Sequence, residues 1–392
     1  MNSERIYLDH AATTPLRAQA AREMQRTSDY SDFNPSSLHA EGRRARAALD
    51  AARDRVAEAI GASRDEIVFT SGGTESNNLA LLGTTRAMAR PAHVIVSAVE
   101  HHGVIAALER LREEGVETSL LPVDAQGRVD PATFERALRP QTVLASIMYA
   151  NNEVGTVQPI AELAEIARRH SVLLHSDAVA APTWLPIDVG ALDVDLLSLS
   201  AHKFYGPKGA GLLFVRRGVP LAPVVMGGGQ ESGRRSGTEN VAGIAGMAKA
   251  LELAVAERRE YAGAIAELRD VLEAGICSRV EGVRVNAGGA PRLPNMSNLS
   301  FPSLDPAALL IALDLAGIAV SAGSACTSGT LEPSHVLAAM APDGQTPSSG
   351  IRFSLGVATS RAQVDRVLAV IAGLVAELRA GSPSAIAGRG NG

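Results

Sequence analysis

Lysine is rare in this sequence of 392 residues, and its placement indicates chemistry. Lysine and arginine together number 37, but only Lys203, Lys208 and Lys249 are lysines. A guanidinium keeps its proton, whereas a lysine amine can lose it and act as a nucleophile. A lysine retained in an arginine-rich chain is therefore a candidate for amine chemistry. Lys203 and Lys208 share the loop 200–209, and Lys249 lies in a helical stretch where surface charge is the simpler interpretation.

A second candidate segment, residues 70–77 (TSGGTESN), lies between a strand-like run and a helix-like run. Glycines such as Gly73 let backbone N–H groups approach a ligand, and a helix N-terminus attracts an anion. The segment is therefore typical of a phosphate cradle. The alternative is an ordinary helix start with Ser71 or Thr74 as the N-cap residue, and the segment by itself favours that alternative.

Two further candidates, Asp177 and Lys203, follow strand-like runs. The carboxyl ends of parallel strands face the crevice in which α/β sheets bind ligands, although a lone aspartate there is often only a loop cap. A partly desolvated amine in such a crevice has a lowered pKa. Phosphate cradle, carboxylate and amine, in this order, are what a pyridoxal 5′-phosphate site requires. Lysine bonds the cofactor, the carboxylate keeps the pyridine nitrogen protonated, and helix amides hold the phosphate.

The two cysteines differ in their surroundings. Cys326 lies in residues 321–330 (SAGSACTSGT), which are almost all small, so we expect a mobile loop with an exposed, reactive thiol. Cys277 lies in a helical stretch and is interpreted as a small buried hydrophobic residue. The pair shows no metal-ligand spacing and is too small for a disulfide framework, so no metal site is predicted.

The order of apolar runs predicts an α/β fold. Strand-like runs alternate with helix-period segments, which predicts a mostly parallel sheet covered by helices on both faces. The last two strands are joined by only about ten residues, too few for a helical crossover, so we expect this pair to be antiparallel. The predicted strands are 66–70, 93–97, 143–148, 172–175, 196–199 and 212–215, and the predicted helices include 103–114, 130–138 and 160–170.

The length of the chain allows two lobes. A long helical stretch at 239–275 is interpreted as the link between them. The predicted divisions are a large cofactor-binding domain over 16–260, a small domain formed by 1–15 and 261–380 with the Cys326 loop at 321–332, and a disordered tail at 381–392.

Composition excludes several classes of protein. The hydrophobic share of 46% and charged share of 20% are ordinary for a soluble globular enzyme. The net charge is −5 without a basic block, so neither nucleic acid nor an anionic membrane is expected as the main partner. The sequence has no apolar run of membrane-spanning length and no signal-like core near its start, and a cytoplasmic location is predicted.

With these segments assembled, the sequence resembles the NifS/IscS-type cysteine desulfurases, in the class V branch of the fold-type I pyridoxal phosphate enzymes. The resemblance runs from residues 7–15 (YLDHAATTP) to about residue 375. It is most specific in VEHH at 99–102, NNEVG at 151–155, AHKFYGPKG at 201–209, RSGTEN at 235–240 and SACTSGTLEPSH at 324–335. The last motif is similar to the desulfurase group that has a long cysteine loop.

The resemblance implies a large domain with a mostly parallel, mixed seven-stranded sheet covered by helices, a smaller α+β domain, and a homodimer. It also implies that Lys203 bonds pyridoxal 5′-phosphate and moves the substrate's Cα proton. Asp177 pairs with the pyridine nitrogen, His101 stacks on the ring and helps to transfer protons, and Cys326 is the nucleophile. The other implied ligands are Gly73, Thr74, Ser200, His202 and the partner subunit's Thr238 for the cofactor, and Asn34, Asn152 and Arg352 for the substrate.

One position departs from the family pattern. The family has a glutamine three residues after the aspartate, where it hydrogen-bonds the phenolic oxygen of the cofactor, and this chain has Ala180. We expect the loss to alter the pKa of the bound cofactor and to slow a proton transfer, unless a water or another side chain replaces the amide.

The main hypothesis is a pyridoxal-phosphate-dependent L-cysteine desulfurase. It converts L-cysteine to L-alanine and holds the sulfur on Cys326 as a persulfide. A sulfur-acceptor protein, such as a scaffold for iron–sulfur cluster assembly or a tRNA thiolation protein, then receives it. One alternative, motivated by Ala180, is a related lyase or epimerase for another amino acid, such as a selenocysteine lyase. The other is a catalytically weak sulfur-relay or scaffold protein, and four intact residues argue against it: Lys203, Asp177, Cys326 and Arg352.

Overall fold

Two β-sheets and a short strand pair form the protein in a computed structural model, which describes residues 5–88, 92–322, 334–341 and 350–381. The strands are β1 (Ile6–Tyr7), β2 (Ile67–Thr70), β3 (His93–Ser97), β4 (Glu117–Leu121), β5 (Thr142–Ser146), β6 (Leu173–Asp177), β7 (Leu196–Ser200), β8 (Gly211–Val215), β9 (Arg284–Asn286), β10 (Met296–Ser300), β11 (Ile318–Ala319), β12 (Ser321–Ala322) and β13 (Gly350–Ser354).

Helices cover these sheets. They are α1 (Ala18–Ser31), α2 (Ala40–Ile60), α3 (Gly73–Asn78), α4 (Thr84–Ala87), α5 (His102–Glu113), α6 (Pro131–Ala137), α7 (Ile160–Arg169), α8 (Val189–Leu192), α9 (Val241–Arg279), α10 (Pro306–Leu315), α11 (His335–Met340) and α12 (Arg361–Gly381). A π-helical turn, Leu79–Gly83, joins α3 to α4. Within the described ranges, no helix is long and apolar enough to cross a membrane.

The larger sheet has seven strands in the order β2-β8-β7-β6-β5-β3-β4. β8 is antiparallel to both β2 and β7, and the other neighbours are parallel. The predicted mixed, mostly parallel sheet and its antiparallel last pair are therefore confirmed. The predicted α/β fold class is confirmed as well.

Side chains along the strands of this sheet alternate between its two faces, and each face has its own buried core. In β2, Ile67 and Phe69 belong to one buried cluster, whereas Val68 belongs to the other. Successive side chains of a strand point to opposite faces, so helices are needed on both sides. Because every residue of β2, β3, β7 and β8 is buried, these strands appear in the sequence as mostly apolar runs.

β4 was not predicted, and its position explains why. It is the edge strand beside β3, and only its last residue, Leu121, is buried. A strand that is mostly exposed needs no apolar run, so Glu117 and its neighbours have the composition of a loop.

The smaller sheet has the order β12-β13-β10-β9 and is antiparallel throughout. β1 pairs in parallel with β11, with Ile6 opposite Ile318, and this pairing brings the N-terminal segment beside the smaller sheet. A third buried cluster includes Ile6 and Phe353 and packs against the helices of this region.

The 39-residue helix α9 connects the two regions. Its N-cap Asn240 accepts a hydrogen bond from the Gly243 N–H at 3.0 Å. Leu251 packs in a core of the larger sheet, whereas Leu272 and Ile276 pack in the core of the smaller one. The predicted domain limits at 15/16 and 260/261 stay a prediction, which this change of core along α9 supports.

Candidate active site

The carboxyl ends of the strands of the larger sheet surround a cavity of about 160 Å³. β6 and β7 end there at Asp177 and Ser200. The predicted site residues that line this cavity are Gly73, Thr74, His101, Asn152, Asp177, Ser200, His202 and Lys203. Residues from segments far apart in the sequence thus meet where α/β sheets bind ligands.

The backbone of the turn before α3 packs closely against neighbouring segments. Gly72 has φ +154°, and a Cβ on Gly211 of β8 would lie 2.5 Å from the Gly72 Cα. A Cβ on Gly73 would lie 2.7 Å from Val179 Cγ2, so a glycine fits there best. Gly72 is the N-cap, and no side chain caps α3, so the alternative with Ser71 or Thr74 as the cap is wrong. The first N–H groups of the helix are left for an anion.

Asp177 is held from two sides. Its Oδ1 accepts a hydrogen bond from the Val179 N–H at 2.9 Å, and its Oδ2 accepts one from Asn77 Nδ2 at 2.7 Å. Asn77 lies one turn after Gly73 in α3 and also lines the cavity. The carboxylate therefore has a fixed orientation beside the cavity.

Lys203 is partly buried, and among the described residues its amine donates hydrogen bonds only to the N-terminal segment. Nζ donates hydrogen bonds to the carbonyl oxygens of Ala11 at 2.5 Å and Ala12 at 2.9 Å. Burial, and next the positive charge of Arg352, lower the pKa of Lys203 to about 8. A lysine with this pKa is neutral in an appreciable fraction of molecules near neutral pH.

Residues 9–14, here called the N-terminal strap, contact the site at further points. His202 Nδ1 lies 3.1 Å from Thr13 Oγ1, and Thr14 Oγ1 donates to the His202 carbonyl at 2.9 Å. Burial, and next the charge of Lys203, lower the pKa of His202 to about 4, so its ring is neutral at physiological pH. The strap therefore fixes the 3₁₀ turn Ala201–Lys203 that carries the lysine.

His101 caps the N-terminus of a helix and also lines the cavity. Its Nδ1 accepts a hydrogen bond from the Gly103 N–H at 3.0 Å as the N-cap of α5, and its ring lines the cavity. Desolvation lowers the pKa of His101, while the charge of Asp177 acts in the opposite direction. The ring is therefore suited to stay neutral beside a cofactor.

Arg352 lies beside the cavity in β13. Its Nη1 donates to the Asn152 carbonyl at 2.8 Å, and its Nη2 donates to Asp9 Oδ1 at 2.8 Å. Asn152 lines the cavity, so Arg352 is placed next to it although it does not itself form the wall.

Besides Arg352, two of the described predicted residues do not line this cavity. Asn34 and Thr238 line a separate crevice of about 250 Å³. The prediction that the partner subunit's Thr238 completes the site agrees with this separation but stays a prediction. Cys326 lies in 323–333, outside the described residues, as do 342–349 and the predicted tail from 382 onwards.

The interpretation of Cys277 was wrong. Its side chain is exposed near the end of α9, next to the buried Ile276. Lys249, by contrast, pairs with Glu252 at 2.6 Å on the same helix, as expected of a surface charge.

Sequence reasoning missed Asn77 and Asp9. Asn77 was within the quoted 70–77 segment, and its spacing from Gly73 places it one turn further along the same helix. Asp9 was within the quoted motif 7–15, but nothing local shows that its partner is Arg352, 343 residues later.

Comparison with known proteins agrees with this geometry. The sequence model of the aminotransferase class-V family matches residues 6–367. Cysteine desulfurase IscS of Dictyoglomus turgidum is 46% identical over 379 residues, which cover 96% of each chain. The structure titled NifS-like protein has a TM-score of 0.89 and 37% identity, covering 95% of this chain and 100% of its own. The structure titled SspA in complex with cysteine has a TM-score of 0.78 and 33% identity, covering 89% and 98%.

The family match spans most of the chain and the relative is similar over nearly its whole length. The chain therefore belongs to the class-V aminotransferase family.

Proposed function

We propose that this protein is a pyridoxal-phosphate-dependent L-cysteine desulfurase. It converts L-cysteine to L-alanine and transfers the sulfur to Cys326 as a persulfide. The observation that carries the proposal is the meeting of Lys203, Asp177 and the Gly73 turn around one cavity. The similarity to named cysteine desulfurases, and to a structure titled as a complex with cysteine, selects this activity among those of the family.

The residues of the cavity fit pyridoxal 5′-phosphate. We assign the phosphate to the start of α3 with Thr74, Ser200 and His202, the pyridine nitrogen to Asp177, and the covalent link to Lys203 Nζ. When bound, the cofactor withdraws electrons from the substrate's Cα and so makes its proton acidic. The clash that a side chain at Gly73 would cause and the fixed Asp177 carboxylate are the features of this chain that support the fit.

The chain's own groups then move protons and hold the substrate. Lys203, with a pKa of about 8, takes the Cα proton at Nζ and can return it, because both of its protonation states are accessible. Arg352 binds the substrate's α-carboxylate, and Asn152 lies beside it at the cavity wall. His101, whose imidazole lines the same cavity and has a lowered pKa, would lie beside the cofactor ring and assist proton transfer in its neutral form.

Cys326 receives the sulfur. Its thiolate attacks the substrate's Sγ, a bond forms between the two sulfur atoms, and the Cβ–S bond breaks. The carbon keeps the bonding electron pair and is protonated, so alanine leaves. The thiol and cysteine thus become persulfide and alanine with no further oxidant. This role rests on the sequence motif around Cys326.

We also propose that the protein acts as a homodimer in the cytoplasm and delivers the persulfide to an acceptor protein. Three large apolar side chains, Tyr30, Leu38 and Met226, are 66%, 89% and 81% exposed and would be covered in a subunit contact. The crevice with Asn34 and Thr238 is where this chain would complete the partner's site.

The proposal is tested by giving L-cysteine to the wild type, Cys326→Ala and the matched control Cys277→Ala, and by quantifying alanine and protein-bound persulfide. We expect both products from the wild type and from Cys277→Ala, and persulfide loss with a large fall in alanine for Cys326→Ala. Undiminished alanine from Cys326→Ala would indicate a lyase instead. Wild-type protein with bound cofactor but neither product would overturn the proposed substrate.

A further inference from the structure

Arg352 uses only part of its hydrogen-bonding capacity. The side chain is 3% exposed, and its two terminal nitrogens each donate to one acceptor. Its Nε is buried and has no partner among the residues that the structure describes. A buried N–H without an acceptor costs free energy, so the guanidinium is arranged to receive one more acceptor.

A ligand in the neighbouring cavity can supply the missing acceptor. The carbonyl that holds Nη1 comes from Asn152, which lines the cavity together with Lys203. A guanidinium presents its N–H groups as a planar fork that matches a carboxylate. The α-carboxylate of an amino acid, whose amino group reacts nearby, has the required chemistry.

Asp9 holds the other terminal nitrogen in place. Its Oδ1 accepts from Nη2 at 2.8 Å, and its side chain is mostly buried. The Asp9 backbone forms a parallel bridge with Ser354, two residues after Arg352 in β13. The carboxylate and the guanidinium are thus fixed relative to each other by the backbone as well as by the ion pair.

We infer that Asp9 is a positioning residue for substrate recognition. Its carboxylate offsets the charge of the Arg352 guanidinium and orients it, so that the remaining N–H groups of Arg352 bind the substrate's α-carboxylate. The inference rests on the proposed function, in which the substrate is L-cysteine. A buried guanidinium that loses its counter-charge is free to turn towards other acceptors. Binding of an amine with a carboxylate then weakens, whereas binding of an amine without one does not.

The experiment compares two amines that differ only in the carboxylate, L-alanine and ethylamine. Their dissociation constants are measured from the absorbance change of the bound cofactor in the holoenzyme, together with KM and kcat for L-cysteine. The variants are Asp9→Ala and Asp9→Asn. The control is Asp365→Asn, which removes another aspartate–arginine pair, with Arg361 at 2.8 Å on the surface of α12.

For Asp9→Ala we expect L-alanine affinity to fall, and KM for L-cysteine to rise, by about ten- to a hundredfold, as for loss of a charge-assisted hydrogen bond. Ethylamine affinity and kcat should change little. Asp9→Asn keeps an acceptor oxygen but no charge and should lie between Asp9→Ala and the wild type. Asp365→Asn should behave as the wild type.

Unchanged or tighter L-alanine binding by the Asp9 variants would overturn the inference. Asp9 would then either have no effect on binding or compete with the substrate for the Arg352 guanidinium. An equal loss for both amines would also overturn it and leave Asp9 with a structural role. If Asp9→Ala does not fold, Asp9→Asn decides by the same comparison. Failure of the proposed function is distinct, since the wild type itself would then neither turn over L-cysteine nor prefer L-alanine to ethylamine.

Discussion

Individual side chains of the cavity owe their orientation to neighbours from other segments. Asp177 is held by Asn77 and by the Val179 N–H, and Lys203 by two carbonyls of the N-terminal strap. A group that must meet a cofactor atom needs such support, because misplacement by about 1 Å can cost a hundredfold in rate. The supporting residues are therefore as testable as the reacting ones.

Asn77→Ala tests this support. The change removes the N–H that holds Asp177 Oδ2, so we expect the cofactor to dissociate about tenfold more readily, which corresponds to roughly 1.4 kcal/mol. The measurement is the dissociation constant of pyridoxal 5′-phosphate by equilibrium dialysis. The matched control is Asn78→Ala, whose amide instead donates to the Thr74 carbonyl at 2.9 Å. Equal affinities of Asn77→Ala and the wild type for the cofactor would show that Asn77 does not contribute to cofactor binding.

The types and approximate places of the central residues could be predicted, because strand ends are visible in a local pattern. Asp177 and Ser200 are the last residues of β6 and β7, and buried parallel strands are mostly apolar runs. The pairing of Asp9 with Arg352 could not be predicted, since it depends on the packing of distant segments. The burial of Cys277 was mispredicted because a helical pattern shows which positions share a face of the helix. It does not show how far along the helix that face is covered by other elements.

At the scale of elements, Glu100 joins the ends of β3 and β5. Its Oε1 accepts hydrogen bonds from Ser97 Oγ at 2.6 Å and from the Met148 N–H at 2.7 Å, and the side chain is fully buried. Burial raises the pKa of Glu100 to about 8. The unfolded chain loses this proton near its ordinary pKa, whereas the folded protein keeps it to about pH 8. The stability that this group contributes is therefore complete below the unfolded pKa and is lost as the pH rises through about 8.

Glu100→Gln should remove this pH dependence, because an amide offers the same acceptor oxygen but does not ionise. We expect the free energy of unfolding of the variant, relative to the wild type, to increase between pH 5.5 and 8.5 by at least about 1.4 kcal/mol, the value of one pKa unit. Urea denaturation at both pH values measures it. The exposed Glu113→Gln is the control, and parallel pH curves for Glu100→Gln and the wild type would contradict the assignment.

At the scale of the whole molecule, the predicted cofactor ligand Thr238 lies apart from the predicted site of its own chain, as expected if it serves the partner subunit. Thr238 is exposed in a crevice with Asn34, apart from the cavity that holds Lys203. In a twofold dimer, a surface residue of each subunit can enter the other subunit's site. Two variants that are each inactive as homodimers should then recover activity when they form a mixed dimer.

The prediction uses Lys203→Ala and Thr238→Asp, which places a negative charge where the partner's phosphate would lie. Co-expressed with different tags and purified through both, the mixed dimer has one site with both native residues, so it should recover about half of the wild-type activity. Lys203→Ala mixed with Asp177→Ala is the control and should recover none, because both residues line the same chain's cavity. Absence of recovery in the first mixture would place Thr238 outside the partner's site.

The N-terminal strap has a consequence for the order of events during synthesis. Its residues leave the ribosome before the residues that they contact, so Asp9 must wait for Arg352, 343 residues later, and Ala11 for Lys203, 192 residues later. The larger sheet is complete in sequence by Val215, so it can fold while the rest of the chain is still being made. The Lys203 amine can thus reach its place before Arg352 is synthesised. The residues proposed to hold a cofactor are therefore synthesised before Arg352, the residue proposed to select the substrate.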